Sequence, residues 1–282
     1  MAGSFWSLSS NFSLIHNPSS VWSYGTKPAG YQTTGNFNLF TNLVSNPDGT
    51  GIVVWFAQGN SFGNSGLGVY YNPNPTTTNT TLGGSTNMTF PARSVCMHPS
   101  SLGVFSIARF TAPTNGNYSL NVAFAHVDGR ATNRHSGGYI VYNNLEMLWE
   151  TDLVDIRDSD SYKSIESGIT VRENETIDFI VGLGLDGTDF YDMTFAQVDI
   201  HLLLATLTTG ILPTSMIPTN TTATTNSTNG NKVRVIIGSL GTSLSLIVAV
   251  ILVYVYYRHR KNKEYQQRVP VTSSADHEVI ES

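Results

Sequence analysis

Short segments in which apolar and polar side chains alternate, or in which apolar residues run unbroken, recur along the first 204 residues and are separated by turn-forming residues. Ile52-Val-Val-Trp-Phe-Ala57 is one such run and ends at Gly59-Asn60. Tyr118–His126 alternates, with Leu120, Val122 and Phe124 on one side, and follows Pro113-Thr-Asn-Gly116, whose Asn-Gly pair signals a reversal. Tyr139–Tyr142 and Leu145–Glu150 flank Asn143-Asn144, which predicts a hairpin because Asn tolerates the positive φ of a tight turn. Thr176–Val181 and Gln197–Leu204 complete the predicted strands. No segment before residue 232 repeats at the helical spacing. The pattern predicts an all-β chain, a two-sheet jelly-roll β-sandwich over residues 1–211.

The hydropathy then changes. Residues 212–234 are almost entirely Thr, Asn, Ser and Pro, a composition that cannot build a core and reads as an extended, glycosylated stalk. Val235–Tyr257 carries no charged residue and is followed at once by Arg258-His-Arg-Lys-Asn-Lys263. Its 23 residues would span about 34 Å as a helix, enough to cross a bilayer core of about 30 Å. The basic residues gather on the C-terminal side, so the positive-inside bias places residues 258–282 in the cytoplasm as a disordered tail. The expected location is a plasma membrane, crossed once, with the N-terminus outside. Gly241-X-X-X-Ser245 offers a weak signal for self-association through this helix. Met1-Ala-Gly-Ser-Phe-Trp6 has neither a basic n-region nor an apolar h-region, so no signal peptide is visible. The expectation is that the native start lies upstream, with an unconventional insertion route as the alternative.

Composition suits an extracellular body. Charged residues make up 12% of the chain, and seven Asn-X-Ser/Thr sequons (Asn11, Asn79, Asn87, Asn117, Asn174, Asn220, Asn226) all precede the membrane segment. In a chain this rich in Asn, Ser and Thr, several would arise by chance. Cys96 is the single cysteine, so no intrachain disulfide forms and the body must be held by its core. Cys96 itself reads as a small buried hydrophobe.

A resemblance adds to this. Asn17-Pro-Ser-Ser-Val-Trp-Ser-Tyr-Gly25, Met97-His-Pro99, Arg109-Phe-Thr-Ala-Pro-Thr-Asn-Gly-Asn-Tyr118, Glu175-Thr-Ile-Asp-Phe-Ile-Val-Gly-Leu-Gly184 and Asp186-Gly-Thr-Asp-Phe-Tyr-Asp192 occur in that order. Together they resemble a jelly-roll domain common in secreted and exosortase-sorted bacterial surface proteins, over roughly residues 5 to 205. The chain has His98-Pro99-Ser100 where that family has His-Pro-Gly, and Asp186-Gly187 where it has Asn-Gly. The resemblance implies a carbohydrate-binding-like sandwich and carries over no ligand-binding or catalytic residue.

Catalytic patterns are weak. Gly59-Asn-Ser-Phe-Gly63 matches the nucleophile elbow, but the elbow needs a helix directly after it, and a turn and strand follow here. Gly182-Leu-Gly-Leu-Asp-Gly187 matches a dinucleotide fingerprint, yet no helix begins there and Asp186, Asp189 and Asp192 would repel a pyrophosphate. Glu146 and Glu150, four apart on one strand, are expected on the same face about 13 Å apart, too far for a glycosidase pair at about 5–9.5 Å. The histidines show no zinc-binding spacing, and no basic, aromatic-interleaved patch points to nucleic acid. The expectation is therefore a binding protein, not an enzyme.

Acid is concentrated in the second half. Residues 128–231 hold 15 acids against five bases, led by Asp152/Asp155/Asp158/Asp160 and by Asp186/Asp189/Asp192. A solvated acidic face and a structural calcium held by Asp186, Asp189 and Asp192 are the two readings, and no other cofactor is implied. Of the tryptophans, Trp55 lies in an apolar strand and reads as core, while Trp149 on the hairpin arm is the candidate for stacking on a sugar ring. The expected role is binding or adhesion, with glycan or cell-wall polymer as the ligand class. A structural or sensor protein without a small ligand, and a surface glycosidase, are the alternatives.

Overall fold

The computed structural model describes residues 4–57, 66–80, 87–100, 103–129, 134–189 and 192–203, the side chain of Asp48 aside. Cα proximity divides the chain after Leu207, and every described residue lies in the first unit. The stalk, the predicted membrane segment 235–257 and the tail lie outside the described residues. Among the described residues, no helix is long and apolar enough to cross a membrane.

The strands are β1 (Phe5–Ser7), β2 (Trp22–Pro28), β3 (Asn38–Leu39), β4 (Asn42–Ser45), β5 (Val53–Phe56), β6 (Gly68–Asn72), β7 (Thr78–Thr80), β8 (Met88–Phe90), β9 (Ser94–His98), β10 (Val104–Thr111), β11 (Gly116–His126), β12 (Ser136–Tyr142), β13 (Glu146–Leu153), β14 (Ser159–Lys163), β15 (Ile169–Val171), β16 (Thr176–Leu183) and β17 (Thr194–Leu203). One sheet runs β14-β11-β17-β9-β6-β5-β4, with β1 on β17 and β15 on β11. The other runs β13-β12-β16-β10-β2-β3, and β7 and β8 form a separate pair. Every ladder is antiparallel. From β9 to β12 the chain changes sheet at each step, so sequence neighbours face one another across the core.

The predicted alternation becomes the core. Tyr118, Leu120, Val122 and Phe124 of β11 and Ala196, Val198 and Ile200 of β17 meet Trp22, Tyr24, Ala108, Phe110, Ile140, Ile177, Phe179 and Val181 from the opposing sheet. This two-sided apolar layer is what makes the fold a sandwich. The predicted hairpin forms with Asn143 and Asn144 at φ 48° and 57°, and Leu145 N–H donates to the Tyr142 carbonyl at 3.0 Å. Trp55 is 5% exposed and Cys96 is fully buried, both in core.

Two strands that bear cations, β2 and β10, were not predicted. Asp178 of β16 makes them strands. It is fully buried, receives Arg109 Nε and Nη2 at 2.6 and 2.9 Å, and meets Lys27 Nζ at 2.6 Å. Lys27 also donates to the Gln32 carbonyl at 2.8 Å, and the Arg109 guanidinium lies 4.1 Å from the Phe37 ring centre. Burial pulls the Lys27 ammonium below the usual lysine range, and Asp178 works against that pull. Gly25 lets the covering segment approach, since a Cβ there would stand 2.3 Å from the Asn38 carbonyl oxygen.

An Asp178→Asn variant strands a buried lysine and a half-buried arginine and should lose about 3–5 kcal/mol. Lys27→Met leaves the Arg109–Asp178 fork intact and should lose much less. Urea denaturation of both at pH 7 checks the order; equal losses would refute it.

Candidate functional site

At one edge of the sandwich the strands β13 and β14, the last of their sheets, lie across from each other with no further strand among the described residues to close the gap. Trp149 of β13 pairs with Ile140 on the inward face, and Tyr162 of β14 pairs with Val122 on the inward face of the other sheet. Both rings are half-buried, with centroids 6.0 Å apart and planes inclined by 39°. Phe124 backs Trp149, stacked at 6.0 Å and 9°. Beside them Thr151 Oγ1 donates to Asp160 Oδ2 at 2.7 Å, on the exposed surface. An aromatic ring held by the core on one side and partly open on the other, next to an exposed hydroxyl–carboxylate pair, can present an apolar stacking face and orienting hydrogen bonds together.

The register slips between Ile140 and Val141, so β13 bulges at Leu148. Leu148 and Trp149 both pack on the inter-sheet core, while Met147 packs outward with Val141 and Ile107. The bulge corrects one expectation: Glu150 pairs with Tyr139 on the outer face, whereas Glu146 pairs with Tyr142, which packs on the inter-sheet core. The two glutamates therefore do not share a face. Trp22, at 1% exposure, and Trp55 are core residues with no surface to offer a ligand.

A second polar group closes one end of the core. Asp192 is fully buried, and its two carboxylate oxygens have no hydrogen-bond partner among the described residues. Burial, and after it the carboxylates of Asp186, Asp189 and Asp128, push its carboxyl up to about 9, with Arg134 pulling the other way. Asp189 is 9% exposed. Asp186 accepts from Thr188 N and Oγ1 at 3.1 Å each and faces Arg134 Nη1 at 3.9 Å. Among the described residues no group of three or more His, Cys, Asp or Glu side chains is arranged to hold a metal ion, so Asp186, Asp189 and Asp192 do not converge as a ready ligand triad. His98 is buried, its Nδ1–H donating to the Pro99 carbonyl at 2.6 Å, and burial lowers its basicity.

The other acidic cluster runs from the end of β13 (Asp152) through an exposed loop (Asp155, Asp158) into β14 (Asp160). Asp158 accepts from Val154 N and Ser159 N at 2.9 Å each, and Asp152 bridges His135 Nδ1 at 2.5 Å and Leu185 N at 3.0 Å. Five sequon asparagines (Asn11, Asn79, Asn87, Asn117, Asn174) are exposed, and Asn220 and Asn226 lie outside the described residues. So does the whole Gly59–Gly63 motif. The Gly182–Gly187 motif is a strand end and a turn, Gly187 N–H donating to the Gly184 carbonyl at 3.1 Å. Sequence reasoning missed Tyr162, Asp128 and His126 as neighbours of these sites. Only the pairing of β11 with β14 and β17 brings them there, and no local motif marks them.

No family model and no curated protein matches the chain. Among solved structures, it is similar to CBM51-2 in complex with GlcNAc and INT domains from Clostridium perfringens ZmpB, at 12% identity and a TM-score of 0.33, over 54% of this chain and 36% of that one. It is similar to a CBM4 structure at 9% identity and a TM-score of 0.27, over 51% of this chain and 93% of that one. The enzymatically active domain of bacteriophage CBA120 tailspike protein 4 matches at 11% identity and a TM-score of 0.29, over 65% of this chain and 20% of that one. The chain spans about a third of the first of these structures and a fifth of the last. No site is carried over from any of them.

The Asp192 carboxyl holds its proton in the folded state to about pH 9, far above its ordinary 3.8. Its contribution to stability is therefore full below that lower value and is lost as pH rises to the upper one, at up to about 1.4 kcal/mol per pH unit. Asp192→Asn lacks this linkage. In chelator, urea titrations from pH 5 to pH 8.5 should show the variant gaining steadily on the wild type; a constant difference would refute the assignment.

Proposed function

We propose that this chain is a surface-presented glycan-binding β-sandwich, with the Trp149–Tyr162 edge as its sugar platform. One observation carries the reading: two half-buried aromatic rings 6.0 Å apart at the open edge, beside the exposed Thr151–Asp160 pair. The apolar face of a pyranose stacks on such rings, and its hydroxyls take the neighbouring donors and acceptors. Binding without turnover fits the separation of Glu146 and Glu150 to opposite faces. The proposed setting is a jelly-roll-type ectodomain on a Thr/Asn-rich stalk, anchored once in the plasma membrane by residues 235–257, with glycans on its sequons and the tail inside.

A second reading rests on the outer face of the nine-stranded sheet. There Asn117, Asn121, Gln197 and His201 are exposed, and among the described residues the exposed ring beside them is Phe5, packed on His201, rather than a row of aromatics. Such a polar face favours a spacer or sensor ectodomain that takes no small ligand.

The full-length chain in detergent, applied to a broad glycan array with and without calcium, separates the two. The expected result is selective binding, weakened at least tenfold, or about 1.4 kcal/mol, by Trp149→Ala and less by Tyr162→Ala, with melting curves confirming that both variants fold. A silent array from folded protein sinks the glycan reading and leaves the spacer.

A further inference from the structure

Four side chains turn inward at the open edge and form two rows. On β13, Trp149 pairs with Ile140 and Thr151 with Gly138; on β14, Tyr162 pairs with Val122 and Asp160 with Phe124. Alternation puts residues two apart on one face of a strand, about 6.7 Å from each other. Across the gap, the Trp149 and Tyr162 rings form an apolar row, and the 2.7 Å bond from Thr151 Oγ1 to Asp160 Oδ2 forms a polar one. Gly138 lets the rows lie close: a Cβ there would stand 2.8 Å from Phe124 Cδ2 and 3.0 Å from Thr151 Cγ2. Phe124 is the ring that backs Trp149, so a side chain at 138 would press on both rows.

The hydrogen-bonding capacity of the polar row is one-sided. The Thr151 hydroxyl commits its proton to Asp160 and is left with lone pairs. Asp160 is exposed, and its carboxylate takes Thr151 Oγ1 on one oxygen and the Ser161 N–H, at 2.7 Å, on the other. An ionised carboxylate accepts about four hydrogen bonds and donates none, so about two acceptor positions stay open to solvent. No ion pair engages Asp160 among the described residues. Lys163, on the same strand, pairs with Asn121 and so alternates to the outer face. Glu146, toward the other end of β13, is exposed and pairs with Tyr142, which packs on the inter-sheet core. The charges carried by the inward-facing positions of this edge are therefore negative.

We propose that the edge selects an amino sugar whose nitrogen is free and protonated, with its pyranose face on Trp149 and its ammonium donating to Asp160. The inference rests on the glycan reading above and adds the class of sugar. An ammonium brings three donors and a positive charge to a row that offers only acceptors. An N-acetylated amine brings one donor and a carbonyl oxygen that meets lone pairs, and a uronate brings further negative charge. Because Asp160 is exposed, water screens the pair and the advantage of the free amine is modest.

The test measures binding of the full-length chain in detergent to three oligosaccharides of equal length: a glucosamine hexamer, its N-acetylated counterpart and a uronate hexamer. It is run at pH 6 and low salt, where an ordinary amine keeps its proton. The glucosamine hexamer is expected to bind about fivefold tighter than the N-acetylated one, near the upper end for an exposed ion pair, and the uronate not to bind. High salt and Asp160→Asn should each erase that preference, while Trp149→Ala should weaken binding of both glucosamine-based hexamers. Equal affinity for these two, or a preference that survives Asp160→Asn, overturns the proposal and leaves the sugar platform standing. If no oligomer binds, or binding ignores Trp149→Ala, the platform itself fails and the amine preference with it. Should Asp160→Asn fail to fold, the salt titration of the wild type still decides.

Discussion

Asp178 is the group on which the six-stranded sheet depends. It sits on β16 and holds an arginine on the adjacent strand, β10, and a lysine on the strand beyond that, β2. Three charges enter the protein together because a single carboxylate satisfies both cations, with Gln32 taking a further Lys27 proton. Had any one of them been buried alone, the desolvation cost would have exceeded what one strand pairing returns. The same network fixes register, because the fork from Arg109 reaches Asp178 only when those two residues are opposite, as they are. It also recruits a cover: Arg109 spreads over Phe37, and Gly25 leaves room for that segment to lie against the strand.

Covering is the second theme of the fold. Each sheet has an apolar outer patch as well as an inner one. On the nine-stranded sheet Ile52, Val54, Tyr70 and Cys96 are capped by Met88 and Phe90 of the separate hairpin. On the other, Phe105, Ile107, Val141 and Ile180 are packed against by Ala29, Phe37, Tyr139 and Met147. Strands such as β9 and β16 are consequently buried on both faces and read as nearly continuous hydrophobic runs. Where covers run out, at the β13–β14 edge and at the end occupied by Asp192, half-buried rings and an unsatisfied carboxylate are found.

That division explains what could be read from the chain. β11, β12, β13, β16 and β17 follow the expected alternation or apolar runs because their side chains obey one rule, in or out. β2 and β10 do not, since Lys27 and Arg109 look like surface residues until Asp178, far along the sequence, is placed beside them. The bulge at Leu148 was likewise invisible: the residues around it are ordinary strand formers, and the slip that separates Glu146 from Glu150 is a property of pairing with β12. Trp149 was legible as an aromatic on a hairpin arm. Its partner Tyr162 was not, because β14 is a polar segment whose burial pattern is almost wholly exposed. Asp192 was legible as one of three clustered acids, but its complete burial was not, because no local motif marks it.

The two sites differ in kind for a physical reason. The edge site is built from side chains that the core already immobilises: Phe124 backs Trp149, and the rings cost little further ordering when a ligand arrives. It is suited to recognition by a preformed surface. The end site is the reverse, a place where the fold buries the Asp192 carboxyl and leaves its oxygens without donors. Such a site gains most from the proton that neutralises it, and the effect falls on the loop that contributes it and not on a distant ligand. The ladder of β11 with β17 joins the two, since Phe124 stands opposite Ala196, four residues beyond Asp192. That short span connects a rigid recognition edge to an end of the core whose stability is set by the protonation of one carboxyl.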